Sequence, residues 1–170
     1  MIYIGIDPGL SGGIAAVDST GAHVVSMRMP ATDRDVFDAL WALRVEARAV
    51  LEFVRSSPQM GVRSVFTFAC GYGGLRMALI ACGVQFDEVT PQKWQQEMEC
   101  RFGGKGFGER NATAAKNATK ARAQQLFPAV KCTHSISDAL LIAEFARRRG
   151  LGQVKIAQAS RRKDAKTGLF

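Results

Sequence analysis

Three acidic residues lie at the ends of segments that a folded chain would bury. Asp7 and Glu52 each close an apolar run, and Asp138 stands near the start of an apolar helical pattern. Burying a charge costs several kcal/mol (roughly) unless it is paired or bound to a metal. His134 precedes Asp138 by one helical turn, so both side chains can face one point. Oxygen-rich sites built from separate segments suit Mg²⁺ or Mn²⁺, so these four residues are candidates for a shared metal site.

Each of the four residues also has an ordinary structural interpretation. Asp7 alone would form a turn, and Glu52 alone would pair with Arg55. Asp138 alone would be an acid favoured by the helix dipole, and His134 would be a surface residue. The metal hypothesis depends on all of them occurring together at the ends of separate elements.

A basic segment follows in the second half of the chain. The formal net charge is +8 and the sequence pI is about 9.7, and nucleic acid is the commonest polyanionic partner of such domains. Positions 101–122 hold six basic residues against one acidic residue. The alternative interpretation is a solvated helix surface. We predict DNA contacts by Lys93, Arg101, Lys105, Arg110, Lys116, Lys120 and Arg122.

The elements that must position these residues follow from hydrophobic periodicity and turn signals. The first three strands are separated by tight turns and predict an antiparallel meander, whereas the fourth reads as a buried parallel strand. The predicted strands are Tyr3–Asp7, Gly13–Val17, His23–Met29, Ala47–Val54 and Gln85–Val89. The predicted helices are Asp33–Val45, Ser64–Cys82, one from Pro91, Asn111–Phe127 and one from about Ser135 to Gly150.

Length and composition bound the class of protein. The 170 residues suit one domain, predicted over 1–150, followed by a basic tail over 151–170. No stretch reads as a membrane span, and the N-terminus reads as a strand rather than a signal peptide. We therefore expect a cytoplasmic protein. Cysteine spacing matches no zinc motif or disulfide framework, and Cys70 and Cys82 are expected in the core.

Three segments resemble the RuvC-type Holliday junction resolvases of the RNase H-like superfamily. Ile4 to Gly13 resembles their opening strand and turn, and Val50-Leu51-Glu52 resembles their second acidic position. The segment from His134 to Ala143 resembles their C-terminal acidic helix, and Thr90 to Trp94 is similar to the segment after their fifth strand. The resemblance runs over roughly 2–149. Met60-Gly61 and Gly71-Tyr72-Gly73 look most like the phage-encoded branch, whose location would be the host cytoplasm.

The resemblance implies an α/β fold with a mixed five-stranded sheet (three antiparallel strands, then parallel strands) and helices on both faces. It also implies a homodimer that cuts four-way DNA junctions in recombination and repair. Asp7, Glu52 and Asp138 match the metal-binding acids. The fourth position is often an acid in the family, and His134 is its best match here. Imidazole suits Mn²⁺ somewhat better than Mg²⁺, and it also fits a general base.

The mechanism we hypothesise is phosphodiester hydrolysis with two divalent ions about 3.5–4 Å apart. Asp7 would bridge them, Glu52 and Asp138 would each hold one, and His134 would complete the site or assist the water. An apolar residue that unstacks bases would help a resolvase, and Phe53, Met60 and Tyr72 are candidates. Phe66–Ala81 corresponds to the family's dimer helix, with a helix buried inside the monomer as the competing interpretation.

Three alternatives stay open on the sequence. A related nuclease acting on RNA–DNA hybrids, flaps or forks would use the same acids. A structure-specific DNA-binding protein with a weakened catalytic site would fit His134 at the fourth position. A fragment of a sugar-kinase-like ATPase would suit Asp7 but leaves the basic segment unexplained.

Overall fold

A computed structural model describes residues 1–54, 61–100 and 112–150, and these form one sheet with helices against it. The strands are β1 (Ile2–Asp7), β2 (Gly13–Asp18), β3 (His23–Arg28), β4 (Ala47–Glu52) and β5 (Gln85–Val89). The helices are α1 (Asp33–Leu43), α2 (Val62–Ala81), α3 (Pro91–Glu97), α4 (Ala112–Leu126) and α5 (His134–Gly150). The predicted basic tail over 151–170 lies outside the described residues.

The sheet has the order β3-β2-β1-β4-β5. The first three strands pair antiparallel, and β4 and β5 continue the sheet in parallel with β1. The mixed five-stranded topology predicted from the sequence is therefore confirmed. It places β1 in the centre, with the carboxyl ends of the parallel strands β1 and β4 at one edge.

Side chains alternate between the two faces of the sheet, as strand geometry requires. Ile4 and Ile6 of β1 point into a core closed by α1 and α2. Tyr3 of β1 and Val50 of β4 belong to the opposite core, which α3, α4 and α5 close. By the same alternation, the last residues of β1 and β4 face the side covered by α5.

Helix α5 crosses β1 at Gly5. A Cβ at that position would overlap the carbonyl oxygen of Ala139 and the amide nitrogen of Ala143. The strand and the helix backbone therefore approach as closely as they do only because residue 5 lacks a side chain. Residues 139–143 of α5 are fully buried at this crossing. Because the helix is held there, the turn of α5 that precedes these residues lies over the carboxyl end of β1.

The interpretation of α2 as a helix buried inside the monomer is wrong for most of its length. Its buried residues are Leu75, Ala78 and Leu79, all in the C-terminal half. Cys70, expected in the core, is exposed, whereas Cys82 is buried as predicted. Apolar composition misled the prediction because it does not distinguish a helix covered by its own domain from one with an exposed apolar face.

Helix α2 also overturns the expectation that no stretch is apolar enough to cross a membrane. Within the described ranges it is the one helix that is long and apolar enough by length and composition. A single helix of this kind is weak support for a membrane span, since helices of soluble proteins meet the same criterion.

Candidate active site

The register of two parallel strands brings Asp7 and Glu52 together. Ile6 of β1 lies opposite Leu51 of β4, so the next residue of each strand comes to the same edge and the same face of the sheet. The carboxyl groups of Asp7 and Glu52 lie close enough together for each to act on the pKa of the other. The fold thus joins two acids that the sequence separates by 45 positions.

The turn after Asp7 folds back over its backbone. Gly9 has a φ of +108°, in the left-handed region that glycine adopts without strain. The amide of Gly12 donates to the carbonyl of Gly9 at 3.0 Å. A Cβ at Gly12 would overlap the carbonyl oxygen of Asp7. The glycines therefore let β2 begin beside Asp7 while its side chain stays turned toward α5.

Helix α5 supplies the third acid. The helix begins at His134, so Asp138 is its fifth residue and lies just before the crossing at Gly5. The negative charge of Asp138 acts on both Asp7 and Glu52. Its Oδ1 atom is buried and has no hydrogen-bond partner in the described part of the chain. A buried carboxylate oxygen without a donor is costly, so this atom is oriented for a ligand.

Two side chains of α4 act on Asp138 from the other side. The hydroxyl of Thr119, which is buried, donates to the carbonyl oxygen of Lys116 at 3.1 Å. It also lies close enough to Asp138 to favour the charged form of that carboxyl group. The ammonium group of Lys116 lies close enough to Asp7 and Asp138 to favour their charged forms. Helix α4 therefore presents a hydroxyl and a positive charge to the acids.

The pKa values of the three acids are displaced in the same direction. Burial, then repulsion from Glu52 and Asp138, raises the pKa of Asp7 to about 8. Burial also raises the pKa of Glu52, although a hydrogen bond from Trp94 opposes the change. Burial raises the pKa of Asp138, although the nearby Thr119 opposes the change. Three acids that resist ionisation together are typical of a functional site that a cation completes.

The side chains fit a divalent cation by their chemistry and burial. Carboxylate oxygens are the ligands that Mg²⁺ and Mn²⁺ prefer, and the free Oδ1 of Asp138 is one such oxygen. Within 1–54, 61–100 and 112–150, however, no three His, Cys, Asp or Glu side chains are arranged so that they could hold a metal ion.

Two solved structures share this arrangement of elements. RuvC from Thermus thermophilus is 18% identical with a TM-score of 0.62, covering 89% of this chain and 97% of that chain. T. thermophilus RuvC in complex with a Holliday junction substrate is 18% identical with a TM-score of 0.64, covering 89% of this chain and 96% of that one. The fold is RuvC-like. At this identity the likeness establishes the fold alone, and the phage branch stays a prediction. No family model and no curated protein matches the sequence.

His134, the candidate for the fourth position of the predicted metal site, is exposed at the start of α5. It is close enough to Asp138 for a positive charge on its ring to favour the Asp138 carboxylate. Roles as a ligand and as a general base both fit this position, and neither is tested by the geometry.

The predicted DNA-binding residues divide into three groups. Lys116 and Lys120 are exposed on α4, one turn apart, and Lys93 is half-buried on α3. Arg122 donates to the carbonyl of Met98 at 2.9 Å and pairs with Glu99 at 2.8 Å, so much of its charge is already engaged. The remaining candidates lie outside the described residues: Arg101, Lys105 and Arg110.

Two of the three candidates for unstacking bases, Phe53 and Tyr72, lie near Glu52. Phe53 and Tyr72 are half-buried and meet edge to face, with ring centroids 6.4 Å apart. Phe68 stacks on Tyr72 at 6.1 Å. Phe53 therefore belongs to an aromatic cluster at the rim of the site, and the assignment of an unstacking residue stays a prediction. Met60, like the expected Glu52 partner Arg55, lies outside the described residues.

Sequence reasoning missed two residues that contact the acids. Trp94 donates a hydrogen bond to Glu52, and Thr119 lies close enough to Asp138 to favour the charged form of its carboxyl group. A buried tryptophan needs a partner for its indole N–H, and this requirement was the available signal for Trp94. No comparable signal marked Thr119, because a threonine within a polar helix is ordinary.

Proposed function

We propose that the chain is a divalent-metal-dependent endonuclease that hydrolyses phosphodiester bonds in branched DNA such as Holliday junctions. The observation that carries the proposal is the meeting of Asp7, Glu52 and Asp138 at the carboxyl ends of β1 and β4 in a RuvC-like fold. The T. thermophilus relative is described with a Holliday junction substrate, which favours branched DNA as the substrate class.

The acids hold and orient the metal in this proposal. Asp7 interacts with both other acids, and together Asp7, Glu52 and Asp138 would hold the ions. Bound Mg²⁺ or Mn²⁺ would supply Lewis acidity that activates a water and stabilises the leaving 3′-oxygen. His134 completes the set from the exposed rim, as a ligand or as a base for the attacking water.

The basic side chains beside the acids position the DNA backbone. Lys116 acts electrostatically on both Asp7 and Asp138, so a phosphate that contacts it also lies beside the acids. Lys120 extends the same exposed face by one turn. Contacts of this kind set affinity and register without reading sequence.

A homodimer through α2 is part of the proposal. The helix carries a stripe of exposed apolar residues at helical spacing: Val62 (87% exposed), Phe66 (70%), Met77 (62%) and Ile80 (59%). Gly73 lies on the same stripe, and apart from its chain neighbours and the adjacent backbone of α2 no atom of the described residues comes within 4 Å of a Cβ built there. A glycine inside a helix costs up to about 1 kcal/mol relative to alanine, and close approach of a second α2 is a reason to keep it. A two-fold dimer would also supply two active sites for two strands.

The experiment is metal-dependent cleavage of a synthetic four-way junction. We expect incision in Mg²⁺ or Mn²⁺ and none in EDTA. Asp7→Asn should bind the junction normally yet cut at least about 1000-fold more slowly, since losing a metal ligand costs several kcal/mol and each 1.36 kcal/mol is tenfold in rate. Asp33→Asn, at an exposed aspartate of α1, is the matched control and should cut normally.

A comparison of substrates distinguishes this proposal from the two alternatives, a nuclease of another specificity and a DNA-binding protein with a weakened site. Junctions, forks, flaps, RNA–DNA hybrids and linear duplex are compared at equal concentration. Faster cleavage of hybrids than of junctions would reassign the chain to another kind of nuclease. Tight junction binding with no cleavage in either metal would indicate a structure-specific DNA-binding protein with a weakened site.

A further inference from the structure

Trp94 reaches the proposed active site from inside the core. It is fully buried on α3, and its indole Nε1 donates to Oε1 of Glu52 at 2.7 Å. Glu52 is itself buried at the end of β4. An indole N–H can only donate, so the bond fixes the roles of both partners. A hydrogen bond to a charged acceptor is among the stronger ones in proteins.

The indole does more for Glu52 than fill space. The ring packs in the core closed by α3, α4 and α5, beside residues such as Met98 and Phe127, and any large aromatic ring would serve that packing. The N–H adds a directional contact that stabilises the charged form of Glu52 against burial. It also fixes the position of one of the two carboxylate oxygens, and with it the orientation of the Glu52 carboxylate.

The surroundings of Glu52 leave this role to Trp94. Asp7 also lies beside Glu52, but it is itself an acid and a proposed ligand. Among the described residues, the indole N–H is the side-chain donor whose hydrogen bond orients Glu52. A carboxylate without a fixed donor would rotate freely, and ligand orientation by such neighbours contributes to metal affinity.

We propose that Trp94 is a positioning residue that orients Glu52 for metal binding, and that its indole senses whether the site is loaded. The proposal rests on the proposed metal-dependent function of the same site. It makes two claims that packing alone does not: removing the N–H weakens metal affinity, and metal binding changes the indole's emission.

The first test removes the N–H and keeps an aromatic ring. Trp94→Phe should raise the Mg²⁺ concentration for half-maximal single-turnover junction cleavage by about 10- to 100-fold, the usual effect of losing a group that orients a ligand. Excess Mg²⁺ should restore most of the rate, and junction affinity measured in EDTA should stay unchanged. A lower rate at every Mg²⁺ concentration, with an unchanged midpoint, would assign Trp94 to packing alone and overturn the proposal.

The second test keeps Trp94 and does not depend on cleavage. The chain has two tryptophans, and Trp41 is exposed on α1 and stacks with Arg44. In Trp41→Phe, Trp94 is the sole indole, and its emission is followed while Mn²⁺ or Mg²⁺ is added without DNA. We expect a saturable change that Glu52→Gln in the same background abolishes. Trp94→Phe, which keeps Trp41 alone, should show no saturable change.

The outcomes separate this inference from the proposed function. An unchanged emission in a Trp41→Phe protein that still cuts junctions would overturn the role of Trp94 and leave the nuclease standing. A saturable response in a protein that cuts no branched DNA would support the role of Trp94 at a metal site and refute the nuclease. If Trp94→Phe does not fold, the emission test still decides.

Discussion

At Asp7 a carboxyl group is held where its charge is costly. Its pKa rises from an ordinary value of 3.8 to about 8, so the folded protein keeps a proton that the unfolded chain releases between these values. The stability contributed by that proton is complete below about pH 4 and is lost as pH rises toward 8. A cation that replaces the proton removes the penalty.

The metal-free protein should therefore lose stability as pH rises. In EDTA, we expect the Tm difference between Asp7→Asn and the unmodified protein to grow in favour of Asp7→Asn from pH 5 to pH 8. Asparagine keeps the shape of the side chain without its charge, so the comparison removes the effect of net charge on the rest of the molecule. Thermal unfolding by circular dichroism measures this.

Two controls test whether the pH dependence of Tm comes from Asp7 and whether a metal ion removes it. Asp33→Asn should follow the unmodified protein across the same pH range, and saturating Mg²⁺ at pH 8 should raise the Tm of the unmodified protein but not of Asp7→Asn. A pH-independent difference between Asp7→Asn and the unmodified protein would contradict the raised pKa.

Single acidic residues of the site could be predicted from the sequence, whereas the side chains that contact them could not. Asp7 and Glu52 stand out because a charge at the end of an apolar strand needs a local explanation. Trp94 and Thr119 contact those acids only after α3 and α4 pack on α5, and no local pattern encodes that packing.

At the scale of elements, α2 shows what apolar composition leaves undecided. The sequence of α2 fits a helix that is buried against its own domain, and it equally fits a helix that packs against a second copy of the chain. The fold decides against the first, since the buried residues are confined to its C-terminal half. The bounds of the strands were predicted more accurately, because the alternation of apolar residues and the turn signals are local features of the sequence. The bounds predicted for β5 are the observed ones.

A charge on the exposed stripe of α2 should produce a monomer. Phe66→Glu would place a carboxylate at the centre of the proposed interface, where an unpaired buried charge is costly. Light scattering after gel filtration should give a dimer for the unmodified protein and a monomer for Phe66→Glu. Val24→Glu, at an exposed apolar residue of β3, is the matched control and should remain dimeric. An unmodified protein that is monomeric at tens of micromolar would refute the dimer.

At the scale of the whole molecule, α4 brings positive charge to the acids through Lys116. The overall charge of +8 attracts any polyanion, but Lys116 and Lys120 stand on the face of α4 that meets the site. Arg48 lies near the start of β4, toward the opposite end of the strand from Glu52. The molecule should therefore bind DNA in one orientation.

The salt dependence of junction binding should report this asymmetry. Replacing Lys116 and Lys120 by alanine should reduce the slope of log K against log salt by about 0.9 for each phosphate that the variant no longer neutralises. Arg48→Ala, the matched control, should leave the slope unchanged. Fluorescence anisotropy in EDTA at several salt concentrations measures both. Equal slopes for the double variant and the unmodified protein would show that α4 does not bind the DNA backbone.

The crossing at Gly5 has a consequence for how such sites are recognised in sequences. Every residue larger than glycine would push the backbone of α5 away from β1 and carry Asp138 out of reach of Asp7. A distant relative that kept all three acids but had alanine at the equivalent position would preserve the ligands and lose their convergence. The diagnostic signature of this centre therefore includes a residue with no functional group at all.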